Sequence, residues 1–286
     1  MEEKNFVSNS TLYLVATPIG NMYDISLRAM DVLRRVDFIA AEDTRVTMKL
    51  LQRLEIKKEL VSYYEHNKKE RGNEIADRLL AGESCALVTD AGTPAVSDPG
   101  EDLVALCAEK NIDVVSIPGP CAAINALTLS ALPTGKFVFE GFLPVKGKER
   151  RDRLEFLSKE ERTVLLYEAP HKLLATLSDL CKYFGGDRRI TLCRELTKLN
   201  EEVIRTTLDT AVSLYSEKQP KGEFVLVIEG AVSIKGEVPV TDDMILERIE
   251  KLISEGNSSS DAVKSASKEF GVSKNTVYSL YLSSKQ

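Results

Sequence analysis

Two short groups in the first half of the chain are of residue types that move protons. Glu42-Asp43-Thr44-Arg45 sets two carboxylates beside a guanidinium, and His66-Asn67 adds an imidazole and an amide. A third stretch, Cys85–Gly100 (CALVTDAGTPAVSDPG), is a stiff loop of small residues. In it Gly92 lets a ligand approach the backbone closely, while Pro94 and Pro99 fix the loop's shape. Asp90–Pro99 exceeds the roughly two to six residues of an ordinary strand-to-helix connection, which marks it as a ligand loop. Pro18 and Gly20, in Thr17–Asn21 (TPIGN), again permit close backbone approach. Cys121-Ala122-Ala123 opens a helix whose N-terminus attracts negative charge. No Cys-His-acid pattern accompanies Cys121, so it reads as a small residue packed beside a ligand. The plainer readings stay open: an ion-paired surface turn for Glu42, Asp43 and Arg45, a loop histidine for His66, a structural role for His171.

The elements that would position these residues alternate strand and helix. Thr11–Ala16, Phe38–Ala41, Leu60–Tyr64, Cys85–Thr89 and Ile112–Ile117 read as strands, each followed by a helical pattern. Such βαβ units imply a parallel sheet with right-handed crossovers. The loops after successive strands then gather at one edge, where open α/β sheets bind ligands. Leu132-Pro133-Thr134-Gly135 breaks the pattern, dividing a first α/β domain (1–132) from a second (133–235). In the second, Arg189–Arg194 and Glu202–Thr207 are separated by few residues and could pair antiparallel, which makes that sheet mixed. Lys235–Val240 reads as a linker. Beyond it, 241–286 holds a capped amphipathic helix and two short helices around Phe270-Gly271-Val272-Ser273, a helix-turn-helix-like tail.

Composition narrows the function classes. The chain has 286 residues, 43% hydrophobic and 29% charged, with a net charge of −6. That is ordinary globular composition, and the charge argues against indiscriminate nucleic-acid binding. A folded RNA could still be met by a local basic surface. The candidate patches are Lys68–Arg71 and Lys146–Arg153, the latter with Lys146, Lys148, Arg150, Arg151 and Arg153; the alternative for each is a solvated face. The five cysteines form no CxxC pair and imply reduced thiols in a cytoplasm. The two histidines have no companions at metal-ligand spacing, so no metal site is expected. No apolar run approaches the roughly 20 residues of a membrane span. Neither GxGxxG after the first strand nor GxxxxGK[ST] is present, which removes the main support for dinucleotide or P-loop chemistry.

LVATPIGN (Leu14–Asn21), AAEDTR (Ala40–Arg45), DAGTPAVSDPG (Asp90–Gly100), IPGP (Ile117–Pro120), FEGFLP (Phe139–Pro144) and YEAPH (Tyr167–His171) resemble the ribosomal RNA small subunit methyltransferase I family, within the tetrapyrrole methylase superfamily. The likeness runs in order from Leu12 to about Gly230. It implies two α/β domains with S-adenosylmethionine in the cleft between them, commonly in a homodimer. It also implies methylation of the ribose 2′-oxygen of a cytidine in small-subunit (16S) ribosomal RNA. The cofactor would be held by Gly92, Thr93, Pro94 and Val96, by Cys121 and Ala122, and by Tyr167, Glu223 and Phe224. The first loop, TPIGN, is poorer in glycine than that of the tetrapyrrole enzymes, and Thr93 stands where they carry aspartate. Both departures point away from a tetrapyrrole substrate.

A ribose hydroxyl is a weak nucleophile and needs a proton acceptor within hydrogen-bond reach. His66, with an ordinary imidazole pKa of about 6.5, leads on that ground. Glu42 and Asp43 would then orient Arg45 and the ribose, with Asn67 beside them. Two other functions compete: a tetrapyrrole or other small-molecule methyltransferase of the same superfamily, and a non-catalytic nucleic-acid-binding regulator acting through the tail. Within the tail, Asp261–Gln286 sets four lysines against Asp261 and Glu269, a weak footprint for a duplex reader.

Overall fold

The computed structural model describes residues 7–232 and 241–285, and the linker expected at Lys235–Val240 lies outside them. The chain divides into two compact units, Met1–Ala231 and Val232–Gln286.

The first unit contains two sheets. Five strands make the first: β1 (Thr11–Val15), β2 (Phe38–Ala41), β3 (Glu59–Ser62), β4 (Cys85–Val88) and β5 (Asp113–Ile117). Their order is β3-β2-β4-β1-β5, and every pairing is parallel. Helices α1 (Leu27–Arg35) and α2 (Thr44–Arg53) lead away from β1 in one direction. Helices α3 (Lys68–Leu80) and α4 (Gly100–Glu109) return in the other. Right-handed crossovers running opposite ways must lie on opposite faces, and the core bears this out. Ala29, Val32, Leu33 and Leu51 pack with Tyr13, Ala86 and Val88, whereas Ile75, Leu79, Leu103 and Cys107 pack with Leu12, Cys85 and Leu87. Buried on both faces, β2 and β4 read as unbroken apolar runs. The loops after neighbours β1 and β4 therefore leave for opposite faces, the arrangement that opens a crevice at the strand ends.

Helix α5 (Ala122–Leu129) does not cover the first sheet. Its Ala123, Ala126 and Leu127 pack with Leu165, Cys193, Val225 and Val227 of the second. That sheet comprises β6 (Phe137–Phe142), β7 (Thr163–Glu168), β8 (Arg189–Arg194), β9 (Glu202–Thr207) and β10 (Phe224–Ile228), in the order β6-β7-β10-β8-β9. The β6–β7 pair is parallel and the rest antiparallel, so the sheet is mixed. Helices α6 (Gly147–Ser158), α7 (Leu173–Phe184) and α8 (Leu208–Glu217) cover its other face through Leu154, Leu157, Leu177, Leu180 and Leu208. Each such leucine contributes about 1.5–3 kcal/mol on burial. Helix α5 thus belongs to this second core, and Met1–Ala231 is one compact unit.

The second unit holds α9 (Asp242–Ser254), α10 (Ser259–Phe270) and α11 (Lys274–Ser283). Thr241, Ser258 and Ser273 cap their N-termini, and Gly271 ends α10 in the left-handed conformation. Ile245, Ile249, Val263, Ala266, Val277 and Tyr281 form its core. Among the described residues, no helix is long and apolar enough to cross a membrane.

Candidate active site

The loops after β1 and β4 are stitched together. Thr17 donates its N–H to the Gly92 carbonyl at 2.9 Å, Gly92 returns one to the Thr17 carbonyl at 3.1 Å, and the Thr17 hydroxyl donates to the Thr89 carbonyl at 3.3 Å. Gly92 has φ +90°, and an added Cβ would stand 3.3 Å from Ile19 Cγ2 and 3.6 Å from the Pro120 carbonyl oxygen. The backbone itself thus calls for glycine. Downstream, the Thr93 hydroxyl donates to the Pro120 carbonyl at 3.0 Å. Ala95 and Ser97 both sit at φ +64°, a conformation costing on the order of 1–3 kcal/mol in a non-glycine residue. Asp98 holds them there by accepting N–H groups from Ala95 (2.9 Å), Val96 (3.4 Å) and Gly100 (2.8 Å). Burial pushes the Asp98 carboxyl upward, against those three donors.

This loop forms one wall of a cavity of about 650 Å³, which the second sheet closes. Ile19, Val96, Phe142, Tyr167, Leu196 and Val225 supply apolar surface. The Tyr167 ring sits 5.1 Å from that of Phe139 and 5.7 Å from that of Phe142, and burial pushes its phenol up to about 12. The acidic lining consists of Glu42, Asp90, Asp98, Glu168 and Glu223, and no lysine or arginine is among the described residues that line it.

The acids are fixed by distinct devices. Thr89 donates its hydroxyl to Glu42 at 2.7 Å, and Asp90 accepts the Asp43 N–H at 3.2 Å. Asp90 stands at the rim, yet the atoms packed behind it, and then the Glu42 charge, push its carboxyl upward. Glu168, buried at the end of β7, accepts the Thr176 hydroxyl at 2.5 Å and the Ala169 N–H at 2.8 Å. Glu223 is held by Lys198 at 2.9 Å, which also reaches Glu195 at 2.8 Å.

Of the residues singled out from sequence, Glu42, Gly92, Thr93, Val96, Cys121, Ala122, Tyr167, Glu223 and Phe224 line the cavity. Pro18, Gly20 and Pro94 do not. An added Cβ on Gly20 would stand 2.5 Å from Lys198 Cγ and 2.8 Å from Thr197 Oγ1. Its smallness therefore seats the β8–β9 loop against the first loop, where the Asn21 N–H meets Thr197 Oγ1 at 3.0 Å. Asp43 and Arg45 also lie outside the lining. Asp43 caps α2 through the Arg45 N–H at 2.8 Å and grips the guanidinium at 3.0 and 2.6 Å. These bonds bring its carboxyl down to about 2. His66 is exposed, its ring edge-on to Tyr64 at 6.2 Å, and is absent from the lining. Asn67 ties its own turn, accepting the Tyr64 N–H at 2.8 Å and donating to the Ser62 carbonyl at 3.1 Å.

Sequence reasoning passed over Asp90, Phe142, Glu168 and His171 as site residues, all of which line the cavity. Asp90 and the Glu168–His171 segment follow strands directly, which was the available signal. The basic run divides in two. Arg150 is half-buried, bonded to Asp179 (2.8 Å), the Pro144 carbonyl (2.9 Å) and Thr176 Oγ1 (3.0 Å), and so braces the residue that holds Glu168. Arg153 pairs with Glu140. Lys146, Lys148 and Arg151 remain exposed.

Residues 11–212 match the family model described as Tetrapyrrole (Corrin/Porphyrin) Methylases. The chain is 48% identical over 271 residues to the ribosomal RNA small subunit methyltransferase I of Synechocystis sp., covering 95% of this chain and 97% of the relative. The chain belongs to the ribosomal RNA small subunit methyltransferase I family. The Bacillus subtilis protein of that name is 44% identical over 275 residues, covering 94% of this chain and 93% of the relative. The fold of the family is that of diphthine synthase (TM-score 0.62, 14% identity, 77% of this chain and 90% of the other). It is also that of uroporphyrin-III C-methyltransferase from Thermus thermophilus, solved with S-adenyl homocysteine (TM-score 0.55, 16% identity, 77% and 97%).

Proposed function

We propose that the chain transfers a methyl group from S-adenosylmethionine to the ribose 2′-oxygen of a cytidine in small-subunit ribosomal RNA. The observation that carries this reading is the cavity's lining: apolar walls, five acids, and neither lysine nor arginine among the described residues. A nucleoside bearing a positive sulfonium suits such a lining, whereas a phosphorylated nucleotide would meet repulsion. When bound, the cofactor supplies an electrophilic methyl group for in-line displacement, so the protein's task is chiefly positioning. Ile19, Val96, Tyr167 and Leu196 would flank the nucleoside, with Thr93 and Glu223 near its polar groups.

We assign the proton acceptor for the ribose hydroxyl to Asp90 rather than His66, because Asp90 lines the cavity and His66 does not. Its carboxyl, pushed upward by burial and then by the Glu42 charge, is a stronger base than an ordinary aspartate. Glu42, anchored by Thr89, sustains that shift. A homodimer acting in the cytoplasm accords with the family likeness, and sedimentation of the full chain tests the dimer.

The decisive assay incubates the protein with methyl-labelled S-adenosylmethionine and small subunits, naked ribosomal RNA or tetrapyrroles. Label in RNA, at a linkage that resists alkaline hydrolysis, is expected; label in tetrapyrrole alone overturns the reading. Asp90→Asn should lower turnover about 10²–10⁴-fold with cofactor affinity nearly unchanged. The wild type should lose activity as pH falls through the raised Asp90 pKa, since protonation removes the base. If the variant keeps more than a tenth of the turnover, Asp90 is not the acceptor.

A further inference from the structure

On the α8 face of the second sheet a separate cleft of about 380 Å³ is lined by Arg194, Tyr215, Lys218, Gln219, Pro220 and Lys221. None of these lines the cavity described above. Tyr215 is only 3% exposed, its ring edge-on to Phe224 at 5.7 Å. Its hydroxyl is buried and has no hydrogen-bond partner among the described residues. A buried hydroxyl without a partner is normally removed by evolution or satisfied, because the lost hydration is not returned. Tyr215 lines the cleft together with three cationic residues, its hydroxyl buried behind that wall.

Those cations are only partly neutralised. Arg194 Nε meets Glu202 Oε2 at 2.9 Å, and Lys218 Nζ stands 3.8 Å from the other Glu202 oxygen. Lys221 makes no ion pair among the described residues; its carbonyl instead takes a 3.4 Å bond from Arg194 Nη1. Among the described residues, Glu202 is the carboxylate within ion-pair distance of Arg194 and Lys218, with Glu195 also acting on Arg194 from farther off. Lys218 is the C-cap of α8, so the helix terminus there presents carbonyls rather than N–H groups. Any anion must consequently be held by side chains.

We propose that this cleft is an anion site that takes a phosphoryl group, with the Tyr215 hydroxyl as its buried donor and Arg194, Lys218 and Lys221 around it. The Tyr215 hydroxyl and the Arg194, Lys218 and Lys221 side chains can all donate, which suits a ligand made of acceptor oxygens. On the reading that the chain methylates RNA, on which the choice of source rests, a backbone phosphodiester is the nearest supply. A free phosphate monoester would present the same oxygens.

The test uses the full chain, titrated with inorganic phosphate at constant ionic strength and, separately, with a short single-stranded oligoribonucleotide. Thermal stabilisation by phosphate should be saturable in the wild type. Tyr215→Phe should weaken phosphate about tenfold, a hydrogen bond to a charged acceptor, while leaving the unliganded protein as stable as the wild type or more so. Lys218→Ala with Lys221→Ala should weaken it further. No phosphate effect in the wild type, or an equal effect in Tyr215→Phe, overturns the site. If the double variant also binds the oligoribonucleotide at least tenfold more weakly, with a shallower salt dependence, the source is RNA. If only phosphate binding falls, the site takes a small phosphorylated ligand and the RNA source is overturned. S-adenosylmethionine affinity, measured in parallel, should not change. Loss of that affinity in the wild type would refute the methyltransferase reading without touching the anion site.

Discussion

Replacing Gly92 with alanine separates what the backbone requires from what the cavity requires. The residue sits at φ +90° with Ile19 Cγ2 3.3 Å and the Pro120 carbonyl oxygen 3.6 Å from an added Cβ. The positive φ alone should cost about 1–2 kcal/mol. Contact with Ile19, which must move by a few tenths of an ångström, adds on the order of 1 kcal/mol. Gly82→Ala is the internal control, because Gly82 has φ +102° and nothing within 4 Å of an added Cβ. It carries the backbone cost alone, and the unfolded-chain entropy gained from alanine is common to both variants. Gly82→Ala should therefore lose about 1–2 kcal/mol and Gly92→Ala about 2–3. For a unit of this size that is a drop of roughly 4–12 °C in Tm for Gly92→Ala, read by thermal unfolding. Cofactor affinity should also fall in Gly92→Ala, because Ile19 lines the cavity, and be untouched in Gly82→Ala. Equal stability losses would mean that Ile19 yields freely. A Gly92→Ala protein as stable as the wild type would refute the reasoning altogether.

Asp98→Ala leaves the N–H groups of Ala95, Val96 and Gly100 without their acceptor and should cost about 1–3 kcal/mol by chemical denaturation. Asp98→Asn, which keeps one carbonyl oxygen, should cost less than half as much. Because burial raises the Asp98 pKa in the folded state, the folded state binds its proton more tightly, and the wild type loses that part of its stability as pH rises through the shifted range. Asp98→Asn should flatten this slope. Reversing Lys146, Lys148 and Arg151 to Glu should weaken RNA binding and its salt dependence with cofactor binding spared; unchanged RNA affinity would make them a solvated face. Arg150 and Arg153 are left out of that set because their charges are already spent internally. His66→Ala should reduce turnover less than tenfold, and a loss of a hundredfold would restore it as the base.

Both sheets were legible in the sequence because their central strands are unbroken apolar runs with breakers at each end. Helix α6 was not assigned, since Gly147–Ser158 is charged along most of its length and buries only Leu154 and Leu157. Cavity residues on the loops after β4 and β5 were found through their small, stiff composition, whereas after β1 the same cue picked Pro18 and Gly20 instead of Ile19. His66 and Asn67 lie outside the cavity lining for a topological reason. Chain order says that a loop follows β3, but not that β3 lies at the sheet's edge with β2 between it and β4. Two strand spacings put it about 10 Å aside. Asp90 went unread because the packing behind it, and then the Glu42 charge brought from the loop after β2, become visible only in three dimensions.

The position of β10 bears on how this protein is made. It is the last strand of the first unit to be synthesised, yet it sits at the centre of the second sheet, between β7 and β8. Until Phe224–Ile228 leaves the ribosome, β7 and β8 have no bridge, and Ala123, Ala126 and Leu127 of α5 wait without Val225 and Val227. At about 5–20 residues per second, the interval between α5 and β10 lasts roughly 5–20 s. During that time the nascent chain exposes apolar surface and unpaired strand edges to whatever chaperone is at hand. A premature stop anywhere before β10 would leave a product with half its architecture unclosed, a substrate for proteolysis rather than a crippled enzyme.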